Sequence, residues 1–187
     1  MSTIFSKRKY FCDVAASLFF LIAGSVMTAS AVGQTKYGFG TEVSEDELSH
    51  FISPLPDGRG LPVGAGTVEE GKKIYQQNCL ACHGANLEGG IGDALIGGRD
   101  TLANNDPEKP PLKTVESYWP YATTLFDYVY RSMPFTEPGS LSYDDVYAVS
   151  AYILYKGNII SEDEVISNEN LATIEMPNRD GFIRIEK

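Results

Sequence analysis

The sequence predicts an all-α fold with much irregular chain, and three observations carry that prediction. Several segments repeat apolar residues at spacings of three and four, the period of one helix face, and none alternates apolar and polar as a half-buried strand does. Residues 84–113 are rich in Gly and Pro, from Gly84, Gly89 and Gly90 to Pro107, Pro110 and Pro111. A loop that long in a compact domain is usually functional or needs something to wrap around. Without an opening 31-residue leader, about 156 of the 187 residues remain, which suits one domain with a single core.

The opening reads as a leader. Lys7, Arg8 and Lys9 precede an apolar run from Val14 to Met27, and Ala29-Ser30-Ala31 forms a cleavage signal. That is the layout of a secretory signal peptide over residues 1–31, and the run is shorter than the roughly 18 residues of a spanning helix. Its removal leaves no membrane span and predicts export to the bacterial periplasm. Cys12 leaves with it, so only Cys79 and Cys82 remain. The whole chain has net charge −10; residues 1–31 carry three basic side chains against Asp13, so the remainder stands at −12. A chain this acidic repels phosphates, which excludes nucleic acid as a partner.

Residues 32–66 read as an irregular arm. A short helix is expected in Thr41–Leu48, with Ser44 and Glu47 as a capping box. Beyond it, Pro54, Pro56 and Pro62 among glycines keep the chain irregular. Thr67 and Glu70 then form a second capping signal, and Val68, Gly71, Ile74, Tyr75 and Asn78 share one helical face. Gly71 costs stability inside a helix, which close approach of another helix would explain. Pro120 suits a first helical position for the next helix, whose Leu125, Tyr128, Val129 and Ser132 share a face. It ends at Met133, because a residue before proline leaves the α region. Ser142 caps the last helix, Asp144 and Asp145 suit its positive end, and Lys156-Gly157 closes it. A short helix at Glu162–Ile166 is expected in the acidic tail.

Cys79-Leu80-Ala81-Cys82-His83 is the sharpest feature. Cys-x-x-Cys-His is the attachment motif of c-type haem: two thiols three positions apart add to the vinyl groups of one porphyrin, and the adjacent imidazole meets the iron. Structural zinc needs four ligands, and His50 is the only other histidine. A redox dithiol needs a βαβ context, which is missing from the pattern. Haem also gives the long loop something to enclose. The iron's other ligand is Met133 or Met176, both followed by proline. Met133 lies between the two strong helices and is the choice; Met176 lies in the tail, and His50 reads as a solvated arm residue. Arg99, after Gly97-Gly98, and the indole N–H of Trp119 are candidates for binding the haem propionates.

These residues resemble a class I cytochrome c. Gly71 and Tyr75 match the family's N-terminal helix, Tyr152 and Tyr155 the aromatics of its C-terminal helix, and Met133 its loop methionine. The resemblance implies a class I fold wrapped around one covalent haem c, with a domain at 67–157 and extended arms at 32–66 and 158–187. "VESYWPYATTLFDYVYRSMPF" and "MPNRDGF" also look like the cytochrome subunits of bacterial sulfane and sulfite dehydrogenases. That implies an electron carrier between a molybdenum-cofactor catalytic subunit and a respiratory acceptor, with no substrate chemistry on this chain. The sulfane dehydrogenase cytochromes often carry two haems, whereas this chain has one motif. The alternatives are an acceptor for another periplasmic dehydrogenase, a haem enzyme with an open sixth position, and haem as a structural staple.

Overall fold

The computed structural model describes residues 39–183, apart from 104, 105 and 109. The expected leader, residues 1–31, lies outside the described residues. The chain divides into two units, residues 1–44 and 45–187. In the first, residues 39–44 form no helix or strand. In the second, the order is α1 (Glu45–His50), β1 (Ala65–Thr67), α2 (Val68–Asn78), α3 (Leu80–His83), α4 (Ala122–Ser132), α5 (Tyr143–Lys156), β2 (Val165–Ser167) and a 3-10 turn at Leu171–Thr173. Among the described residues, no helix is long and apolar enough to cross a membrane.

Helix α2 starts where its capping box places it. The Thr67 hydroxyl accepts from the Glu70 amide, and the Glu70 carboxylate accepts from the Thr67 amide at 3.0 Å. Its C-terminal half packs on α5, with the Tyr75 and Tyr152 rings 5.3 Å apart. Gly71 sits at the crossing: a Cβ there would run into the Ala148 carbonyl. Helix α5 also has a reciprocal cap, from Ser142 and Asp145. Every residue from Val146 to Leu154 is buried, because α2, α4 and both strands all pack against this helix. Hence α5 is apolar around much of its circumference.

The structure corrects three sequence expectations. The fold is helical but carries a small antiparallel sheet, with Gly66 opposite Ile166. Strands of three residues are too short to show alternation, and their partners lie about 100 residues apart. The tail helix expected at Glu162–Ile166 is replaced by a turn and β2. Helix α4 begins at Ala122 with Tyr121 extended before it, so Pro120 precedes the helix instead of opening it. Helix α5 ends where expected, at Lys156 with Gly157 as its cap, in a six-to-one motif whose left-handed residue is Asn158, at φ 53°. The Ile159 amide donates to Leu154 and the Asn158 amide to Tyr155, closing the last turn.

Burial acts on two phenols of this core. It pushes the Tyr75 and Tyr147 hydroxyls well above their ordinary value of 10.0, helped by Cys79 beside the first and Asp144 beside the second. A folded value raised above the unfolded one means a contribution that is complete below about pH 10 and lost as pH rises through the folded value. On alkaline titration, the last phenolate absorbance is therefore expected to appear together with loss of helical circular dichroism. All phenolates appearing before the helices melt would contradict it.

Candidate cofactor site

Helix α2 hands over to the site at Cys79, which caps it with φ −121° and ψ −34° and donates its amide to Tyr75. The chain then makes one more turn, α3. The amides of Cys82 and His83 both donate to the Cys79 carbonyl, at 3.1 and 2.9 Å. Cys79, Cys82 and His83 therefore sit on a single turn. Gly84, at φ 83°, ends it, and the Tyr75 hydroxyl donates to the Gly84 carbonyl at 2.7 Å. The following loop folds back over the turn's free carbonyls: Gly89 donates to His83 at 2.8 Å and Gly92 to Cys82 at 2.9 Å.

The His83 ring is oriented by that same loop. Its Nδ1 lies 2.7 Å from the Asp93 carbonyl oxygen. A carbonyl only accepts, so Nδ1 carries the proton and Nε2 keeps its lone pair for a metal. Gly92 makes this approach feasible, since a Cβ there would lie 2.9 Å from the ring's Cε1. Asp93 and Gly92 were not singled out in the sequence. A backbone carbonyl leaves no mark on residue type, and Gly92 is one glycine among many.

The turn forms part of the wall of a cavity of about 430 Å³. Cys79, Cys82 and His83 line it together with Leu125, Tyr128, Val129 and Met133 from α4 and its end, and Val149 and Ile153 from α5. Ile91–Leu95, Lys113–Val115 and Trp119 complete much of the wall. Met133 is extended, at φ −126° and ψ 147°, just past α4, and its peptide to Pro134 is cis. Met176, 3% exposed, belongs to the apolar core and is not on the cavity wall. The side chain of His50 lies outside the described residues.

Trp119 lines the cavity, its ring edge-on to Tyr128 at 5.5 Å. Arg99 does not line it. Its Nε donates to the buried carboxylate of Glu116 and its Nη2 to the Gly157 carbonyl at 2.6 Å, where it satisfies the C-terminal end of α5. Glu116 also accepts from the Gly97 amide, so Arg99 ties the loop to the helix. Lys113, which does line the cavity, went unnoticed in sequence because a lone lysine in a loop has no pattern.

Other uses of the two cysteines fit less well. Burial, then the neighbouring Cys82, pushes the Cys79 thiol up to about 11, the reverse of the lowered value of a reactive dithiol. Among the described residues, no three or more of His, Cys, Asp and Glu gather into a metal-holding group. The donor set fits haem c: two thiols at the tether spacing, an imidazole with a free Nε2, a thioether on the same cavity wall, and a largely apolar lining.

Comparison with known proteins agrees. Residues 68–156 match the family model for cytochrome c. The crystal structure of the sulfane dehydrogenase SoxCD from Paracoccus pantotrophus contains a similar chain, at 39% identity and TM-score 0.72, covering 81% of this chain and 73% of that one. Two curated relatives are cbb3-type cytochrome c oxidase subunits CcoP. One, from Azospirillum sp. strain B510, is 30% identical over 52% of this chain and 29% of its own length. The other, from Azospirillum brasilense, is 24% identical over 44% and 28%. The match thus spans less than a third of either subunit.

Proposed function

Because this chain belongs to the cytochrome c family, we propose that it is a periplasmic carrier of single electrons with one haem c, serving a molybdenum-containing sulfane or sulfite dehydrogenase. The observation that carries the reading is the common cavity wall of Cys79, Cys82, His83 and Met133. Cys79 and Cys82 would hold the haem through thioethers, and His83 Nε2 and the Met133 sulfur would hold its iron. When bound, the haem supplies reversible one-electron exchange between Fe(III) and Fe(II).

The chain's own residues supply the rest. The bond from Nδ1 to Asp93 fixes the imidazole's orientation and raises the basicity of Nε2. Leu125, Val129, Val149 and Ile153 present apolar surface that would keep water from a bound haem's iron. Thioether and imidazole together favour a high potential suited to electron transfer. A methionine on the wall argues against an enzyme with an open sixth position. The likeness to a sulfane dehydrogenase chain at 39% identity supports the sulfur partner. The CcoP matches support a second reading, service to another respiratory complex.

The test is reduction of the purified oxidised holoprotein, without oxygen, by a sulfane- or sulfite-oxidising molybdenum dehydrogenase and its substrate. The expected result is rapid appearance of the sharp bands of low-spin reduced haem. Full reduction by dithionite with none by the dehydrogenase would remove the sulfur partner and keep the carrier. A high-spin spectrum that takes up carbon monoxide at once would remove the ligand assignment.

A further inference from the structure

We propose that Asn178 is a positioning residue: it holds Trp119 on the wall of the cofactor cavity, and so governs water access and the reduction potential of the group bound there. The proposal rests on the haem reading above. The C-terminal arm is anchored by Leu171, Ile174 and Met176, all buried. From that anchor it grips the segment on either side of Trp119. The Asn178 Nδ2 donates to the Tyr118 carbonyl at 2.6 Å, across 60 residues of sequence. The Phe182 ring meets Tyr118 edge-on at 5.3 Å, and the Arg179 guanidinium lies 4.9 Å from the centre of the Tyr121 ring.

Asn178 is itself held in place. The Gly181 amide donates to its carbonyl at 3.1 Å, and the Arg179 amide donates to Met176 at 3.0 Å, so two turns overlap at this residue. A Cβ on Gly181 would collide with the Asn178 side-chain amide. Glycine at 181 therefore leaves the amide the space from which it reaches Tyr118. On the other side, Trp119 abuts Tyr128, which also lines the cavity and is 49% exposed. Trp119 and Tyr128 thus form one stretch of cavity wall whose rings are partly open to solvent.

The consequence is electrostatic. The oxidised iron carries one more positive charge than the reduced iron, so water admitted past a displaced indole stabilises the oxidised form and lowers the potential. A bond to the backbone beside Trp119 thus acts on the cofactor without touching it.

The experiment uses the holoprotein. Asn178→Asp keeps the size but leaves a carboxylate that cannot donate to a carbonyl, and Asn178→Ala removes the group. Glu175→Gln, an exposed position on the same arm, is the control. Trp119 is the only tryptophan, so indole emission reports its place directly. Both Asn178 variants are expected to keep bound haem and native far-ultraviolet circular dichroism. Their indole emission should rise and shift to the red. The equilibrium between oxidised and reduced forms should move at least about threefold toward oxidised, where tenfold is about 59 mV. Unchanged emission in Asn178→Asp overturns the positioning role. Changed emission at an unchanged potential overturns its effect on the cofactor. If the wild-type chain takes up no haem, the carrier reading fails, while indole emission in the variants still decides whether Asn178 holds Trp119.

Discussion

Met133→Ala is expected to abolish the near-infrared sulfur-to-iron absorption of the oxidised holoprotein, to admit carbon monoxide to the reduced one, and to lower the potential by on the order of 0.1 V. Axial ligands tune haem potentials over roughly 0.8 V, and a thioether raises them, so losing it moves the potential down. The contrast is with Met176→Ala. Met176 is 3% exposed within the core, so truncating it should cost about 2–5 kcal/mol of stability and leave the near-infrared band intact. The two substitutions thus separate along different readouts, spectrum for one and unfolding for the other. A band that survives Met133→Ala and disappears in Met176→Ala would move the ligand to the tail.

Gly71→Ala is expected to destabilise the fold by about 1–3 kcal/mol, and Gly71→Val by more. Helix propensity alone has the opposite sign, since Ala is favoured over Gly in a helix interior by about 1 kcal/mol. Geometry reverses it. The new Cβ would meet the carbonyl of Ala148 and lie 2.9 Å from the Tyr152 Cβ. A backbone carbonyl in the middle of a buried helix cannot rotate away as a flexible side chain can. Relief requires α2 and α5 to separate, which loosens the contact between Tyr75 and Tyr152. Denaturant unfolding measures the cost, and a domain of this size should lose about 2–4 °C of melting temperature per kcal/mol. A stabilised Gly71→Ala variant would show that the helices do not approach so closely.

How far sequence alone reached differs between elements for identifiable reasons. The Thr67–Glu70 capping box and the Ser142 cap were legible because a capping side chain acts only on its own turn. The extended Met133 was legible because proline restricts the residue before it. The strands were not, because three-residue pairs gain their stability from the partner segment and from packing on α5. The end of α5 was legible too, at Lys156 with Gly157 as its cap; only the left-handed residue beyond it, Asn158, was not marked, since asparagine as well as glycine tolerates that region.

The site divides in the same way. Sequence by itself predicted that two thiols and an imidazole serve one cofactor, because Cys-x-x-Cys-His is a recognisable spacing; the structure puts them on one turn. Sequence also determined the close helix crossing at Gly71, since an interior glycine has a cost that needs a reason. Tertiary structure alone decided which methionine reaches the cavity wall, that Asp93 orients His83 through its backbone, and that Arg99 binds Glu116 and Gly157 away from the cavity. It alone brought Asn178 to Tyr118. The physical reason is that local geometry follows from bonds and neighbouring side chains. Contacts made by carbonyls, or across tens of residues, depend on how the whole chain packs, and residue type alone does not record them.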